Sequence, residues 1–259
     1  MALTEAQKAV LKALAPNRSP ASVFAGGATL NRAGPRRSRD LDIEHPSPEA
    51  LADALARDEV ALRRAGFEIT PNSDLRPGGG FAEVLVKSSL GETLVDWTFD
   101  SPVRFFPAQQ DPIFGWRLHD FDLAVNKILA LAGRREPRDY VDLVAIHRSG
   151  CSIASLAWAA CGKDAGLTPG LILDEITRNS SFTAEQIKAS VDIEGDLDLP
   201  GLKRDFLDGV AAARDLFSTL PLEQAGHVYL DAEGRPCLPD PAGVAAGSLS
   251  LREARPGGG

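Results

Sequence analysis

The chain has 259 residues, 44% of them apolar, three cysteines and a formal net charge of −8. That length can bury a sizeable core in one large domain or two modest ones. No apolar run approaches the roughly 18 residues that would span a bilayer, the scattered Cys151, Cys161 and Cys237 rule out a disulfide scaffold, and the acidic balance argues against a protein that coats nucleic acid. Met1-Ala2-Leu3-Thr4-Glu5 has neither the basic nor the apolar segment of a secretory leader. The expected location is the cytoplasm, with no membrane partner.

Residues 4–14 predict an amphipathic helix, with Thr4 and Gln7 at capping-box spacing and Val10, Leu11 and Leu14 on one face. Ser22 to Ala25 read as a buried strand ending at Gly26-Gly27, and residues 40–44 as the next strand. Ser47-Pro48-Glu49 opens a helix that Gly66 closes. Phe67 to Thr70, Phe81 to Lys87 and Thr93 to Phe99 are β-rich runs, separated by turn formers such as Pro77-Gly78-Gly79-Gly80 and Leu90-Gly91. From Asp120 the pattern turns helical, over 120–132, 137–148, 152–161, 169–178, 183–190 and 200–219. Residues 225–259 are rich in Gly and Pro, with a small hairpin expected at Ala232-Glu233-Gly234 and a disordered Pro-Gly-Gly-Gly end.

Two clusters carry chemistry. In the first, Gly26-Gly27 can approach a phosphate closely because no Cβ intervenes. Asp40 and Asp42 then alternate with Leu41 and Ile43, so a strand puts both carboxylates on one face. Adjacent carboxylates repel unless a hard cation lies between them, and Mg²⁺ takes such oxygens together with substrate phosphates. Asp96, in the apolar setting Leu94-Val95-Asp96-Trp97, is the candidate third carboxylate, with Glu83 and Asp100 competing. The second cluster is Asn126-Lys127-Ile128, then Arg134, then Arg138-Asp139-Tyr140-Val141-Asp142. Lys127 interrupts an apolar helix, and Asp139 and Asp142 share a face of the next. The set could hold a triphosphate or could be a structural ion-pair network joining two helices. Arginines 32, 36, 37 and 39, and again 134, 135 and 138, give an acidic chain local basic sites. His45, His119, His147 and His227 lack metal spacing and read as surface or core residues.

Gly26-Gly27-Ala28 with Arg37-Ser38-Arg39-Asp40-Leu41-Asp42, and Lys127 to Leu131 with Arg134 and Arg138 to Leu143, resemble the nucleotidyltransferases of the DNA polymerase beta superfamily. The second segment narrows the resemblance to the AbiEii/AbiGii toxins of type IV toxin–antitoxin systems, including MenT-like enzymes. The likeness covers about residues 20–148. The Gly-Gly pair departs from the Gly-Ser of many superfamily members and matches the narrower family.

The resemblance implies an α/β (α+β) fold: a nucleotidyltransferase core with a mixed sheet over 1–118, a helical domain completing the active site over 119–222, and a hairpin and flexible tail over 223–259. It implies transfer of a nucleoside monophosphate from an NTP to a hydroxyl, the tRNA 3′ end in related toxins, with a cognate antitoxin as partner. Carried over by position, Gly26, Gly27, Arg39, Arg134, Asp139 and Asp142 would serve nucleotide binding. Asp40, Asp42 and Asp96 would hold Mg²⁺ or Mn²⁺, with Asp96 otherwise accepting the proton of the attacking hydroxyl. Lys127 would contact the nucleotide. A small-molecule or protein acceptor, and a non-catalytic binding module of the same fold, are the alternative readings.

Overall fold

A computed structural model describes residues 3–34, 36–72 and 79–259. The expected turn at Pro77-Gly78 and the start of the chain at Met1-Ala2 lie outside the described residues. The chain divides into two compact units, one made of Met1–Pro102, Phe106–His119 and Pro256–Gly259, the other of Val103–Phe105 and Asp120–Arg255.

The first unit begins with α1 (Glu5–Leu14), whose Thr4–Gln7 capping box forms as expected. Next come β1 (Val23–Ala25), α2 (Gly26–Leu30), the two-residue β2 (Arg36–Arg37) and β3 (Asp40–His45). The five-residue α2 starts at the glycine pair itself, directly after the expected strand end. In α3 (Pro48–Arg64), Ser47 accepts from the Ala50 N–H and proline occupies the first turn. Strands β4 (Glu68–Pro71), β5 (Phe81–Ser88) and β6 (Gly91–Phe99) follow. Past β7 (Val103–Arg104), which belongs to the second unit, the first unit resumes with β8 (Gln109–Asp111) and β9 (Gly115–Arg117), two short strands that no periodic pattern announced.

All of these strands except β2 and β7 build one mixed sheet of seven in the order β4-β5-β6-β3-β1-β9-β8. β3 lies at its centre, antiparallel to β1 and parallel to β6, with Asp42 opposite Asp96. Alternation then sorts the side chains. Leu41, Ile43, Val95 and Trp97 are fully buried on one face, beneath α1 and α3, while Asp40, Asp42 and Asp96 are half-buried on the other.

The covered face also buries a charge network. Arg18 and Asp58, both with fully buried side chains, pair at 2.5 Å. Asp58 further accepts from Asn17 Nδ2 at 2.9 Å and Trp97 Nε1 at 2.8 Å. Nearby, His45 Nε2 lies 2.9 Å from Ser22 Oγ. Burial, aided by the Arg18 charge, pushes the His45 imidazole down to about 4.

In the second unit α4 (Asp120–Gly133) packs on α5 (Pro137–Arg148), α6 (Ile153–Ala160) and α7 (Pro169–Asn179). Then follow α8 (Ala184–Ser190), β10 (Asp192–Ile193) and α9 (Leu199–Phe217). The C-terminal stretch holds β11 (His227–Leu230), β12 (Pro236–Cys237), α10 (Pro241–Ala245), β13 (Ser250–Glu253) and β14 (Arg255–Pro256). Strands β12, β11 and β13 form a three-stranded sheet, of which the expected hairpin is one half. Two of the last glycines, expected to be disordered, make specific contacts, while Gly259 is exposed. The Gly257 N–H donates to the Pro102 carbonyl at 2.9 Å, and Gly258 is buried so closely that a Cβ would lie 2.1 Å from the Phe106 oxygen. Among the described residues, no helix is long and apolar enough to cross a membrane.

Candidate active site

Asp40 and Asp42 share the face of the sheet opposite α1 and α3 because β3 alternates, and Asp96 joins them because β6 runs parallel in register, one strand over. One carboxylate oxygen from each lies within 4.8 Å of the others. Among the described residues this is the group of three or more His, Cys, Asp or Glu side chains able to hold a metal ion. An all-oxygen, all-carboxylate set suits a hard divalent cation such as Mg²⁺ or Mn²⁺ and would neutralise the repulsion among the acids.

The competing carboxylates stand apart from this group. Glu83, on β5, is the cross-strand neighbour of Asp96 on β6 but accepts from Asn72 Nδ2. Asp100 lies exposed beyond β6, its Oδ1 accepting from the Ser101 N–H at 2.7 Å. The histidines are elsewhere: His45 is under the sheet and His119 stacks on Phe106 with ring centroids 4.1 Å apart.

The glycine pair makes room for the acids. Gly26 has φ +65, and a Cβ there would lie 1.7 Å from Asp42 Oδ2. A Cβ on Gly27 would lie 2.6 Å from Arg36 Nη2 and 2.7 Å from Ser38 Oγ. The sequence suggested only that glycine leaves space for a phosphate. The structure adds that the space already admits Asp42, Arg36 and Ser38. Arg36 is almost fully buried, whereas Arg39, directly before Asp40, is exposed. Ser38, part of the acid-bearing motif but given no role by the sequence, acquires one here: its Oγ donates to Asp40 Oδ1 at 2.6 Å.

In the helical unit, Lys127 Nζ lies 2.7 Å from Asp139 Oδ1 and 3.1 Å from Asp142 Oδ2. Arg134 Nε donates to Asp139 Oδ2 at 2.8 Å. Burial would raise the Asp139 carboxyl, yet the charges and hydrogen bonds of Lys127 and Arg134 hold it below the ordinary carboxylate range. The ammonium of Lys127 is thus fixed by two buried carboxylates on the neighbouring helix. A second lysine, the half-buried Lys163, reaches Asp122 Oδ1 at 2.8 Å and Asn126 Oδ1 at 3.0 Å.

The family model described as the nucleotidyl transferase AbiEii toxin of type IV toxin–antitoxin systems matches residues 9–225. The chain belongs to the AbiEii nucleotidyltransferase family. This AbiEii-family chain is also similar to two solved structures. One is MenT4, a nucleotidyltransferase toxin from Mycobacterium tuberculosis H37Rv, with 17% identity, TM-score 0.48, and coverage of 80% of this chain and 91% of that one. The other is a candidate nucleotidyltransferase from H. pylori, with 17% identity, TM-score 0.46, and coverage of 83% and 94%. A search of curated proteins gives no match.

Proposed function

We propose that this nucleotidyltransferase uses Mg²⁺ or Mn²⁺ to move a nucleoside monophosphate from an NTP onto the 3′ end of tRNA, acting in the cytoplasm as a toxin restrained by a cognate antitoxin. The observation that carries the reading is the convergence of Asp40, Asp42 and Asp96 on one face of the sheet, with oxygens within 4.8 Å. A cation bound there would offset the carboxylates and polarise the phosphate and hydroxyl oxygens.

The chain's own residues would divide the remaining work. Gly26 and Gly27 would face the triphosphate. Asp42, pressed against Gly26, and Asp40, held by Ser38, would keep fixed positions as ligands. Asp96 would complete the ligand set or take the proton of the attacking hydroxyl as the new phosphoester bond forms and pyrophosphate leaves. Lys127, held by Asp139 and Asp142, would present a defined positive charge to the nucleotide, with Arg39 and Arg134 as further phosphate contacts. The exposed Arg37 and Arg39 and the half-buried Arg32 support an RNA acceptor in spite of the net charge.

Incubation with each α-labelled NTP, Mg²⁺ and total tRNA tests this, comparing wild type with Asp42→Ala. Label on tRNA with wild type alone is the expected result. Label on the protein or on a small molecule would replace the tRNA reading, and no transfer to any acceptor would refute catalysis.

A further inference from the structure

One side chain joins the cap of the first helix to the acid-bearing strand. Gln7 is 1% exposed. Its Oε1 accepts from the Thr4 N–H at 3.0 Å, closing the capping box, while its Nε2 donates to the Ser38 carbonyl at 2.9 Å. Ser38 in turn donates its hydroxyl to Asp40 Oδ1 at 2.6 Å.

The cap alone does not account for this arrangement. A capping box asks only for an acceptor at this position, and glutamate serves there as well as glutamine. The amide nitrogen is the extra element, and it is spent on a backbone carbonyl two residues before Asp40. The Ser38 hydroxyl is itself confined, lying 2.7 Å from where a Gly27 Cβ would be. A carboxylate that accepts a short hydroxyl hydrogen bond loses freedom of rotation, and groups that orient metal ligands in this way commonly change metal affinity by about 10–100-fold.

We propose that Gln7 and Ser38 are positioning residues that set the orientation of Asp40 towards a divalent cation. Gln7 acts through the Ser38 backbone and Ser38 through its hydroxyl. The proposal rests on reading Asp40, Asp42 and Asp96 as the cation site. It extends the functional apparatus to Gln7, which precedes the stretch matched by the family model, residues 9–225.

Mn²⁺ titration followed by electron paramagnetic resonance tests it on the full chain, without nucleotide, alongside melting temperatures. The proteins are wild type, Gln7→Glu, Ser38→Ala, Ser38→Thr, the Gln7→Glu/Ser38→Ala double variant and Asp40→Asn. Gln7→Glu keeps the cap acceptor and removes the donor to Ser38. The expected result is Mn²⁺ binding weakened about tenfold by Gln7→Glu and by Ser38→Ala, with Ser38→Thr close to wild type. The double variant should bind no more weakly than Ser38→Ala, because both changes act along one path. Affinities of Gln7→Glu and Ser38→Ala within about twofold of wild type, with binding lost in Asp40→Asn, would overturn the proposal and leave the cation site standing. Losses that multiply in the double variant would overturn the shared path. Unchanged Mn²⁺ binding by Asp40→Asn would overturn the cation site itself, and the proposal with it.

Discussion

Gly26→Ala separates two uses of a glycine, and the structure supplies its own control. At Gly26 the backbone has φ +65, and a methyl group would lie 1.7 Å from Asp42 Oδ2 and 2.8 Å from Asp42 Cβ. Rotating the carboxylate relieves the first overlap but not the second, so the turn or the strand must shift. The left-handed backbone costs about 1–2 kcal/mol for a residue with a Cβ, and relieving such an overlap adds about 1–3 kcal/mol. For a protein of this size, each kcal/mol lowers the melting temperature by about 2–4 °C. Gly66, with φ +86 and nothing within 4 Å of where a methyl group would sit, carries only the backbone cost. Gly66→Ala should therefore lose about 1–2 kcal/mol and keep full activity. Gly26→Ala should lose more stability and, with Asp42 displaced, about 100-fold or more in transfer rate. Scanning calorimetry and labelled-NTP transfer on both variants make the comparison. Equal stability losses with activity retained in both would refute the idea that Asp42 depends on the space over Gly26.

Three further outcomes follow from the buried charges. Asp58→Ala leaves the fully buried Arg18 side chain without its partner, and urea denaturation should show a loss of about 3–5 kcal/mol; a loss below about 1 kcal/mol contradicts this. His45, lowered by burial to about 4, stays neutral in the folded state while the unfolded chain takes up a proton near 6.5. Stability from this site is therefore present above about pH 6.5 and lost as pH falls towards 4, by at most about 3 kcal/mol, and His45→Gln should flatten unfolding free energy against pH over that window. Lys127→Met leaves Asp139 and Asp142 without their shared ammonium, so the melting temperature and the transfer rate should both fall, with Lys127→Arg recovering more of the stability than of the rate.

The acid-bearing strand was legible because period-two alternation places Asp40 and Asp42 together, and a lone carboxylate in an apolar run marked Asp96. The helical set was legible for a similar reason: Lys127 breaks an apolar face, and Asp139 and Asp142 are spaced to meet it. Capping residues gave the helix starts, from Thr4 and Ser47 to Thr183. What stayed hidden was tertiary. Gly27 borders Arg36 and Ser38, and Gln7 reaches a carbonyl 31 positions away, contacts that no local pattern encodes. Strands β8 and β9, three residues each, are too short to show a period. The final glycines looked like a free tail by composition, whereas Gly258 fits beneath a carbonyl that only a residue lacking Cβ can approach.

Nucleotidyl transfer, as proposed, depends on Asp40, Asp42 and Asp96 holding one divalent cation. Anomalous diffraction from crystals grown with Mn²⁺ and a non-hydrolysable NTP tests it most directly. The expected result is an anomalous peak coordinated by all three carboxylates, absent from Asp42→Ala crystals. A peak held by other residues, or none at these three in wild type, would contradict it.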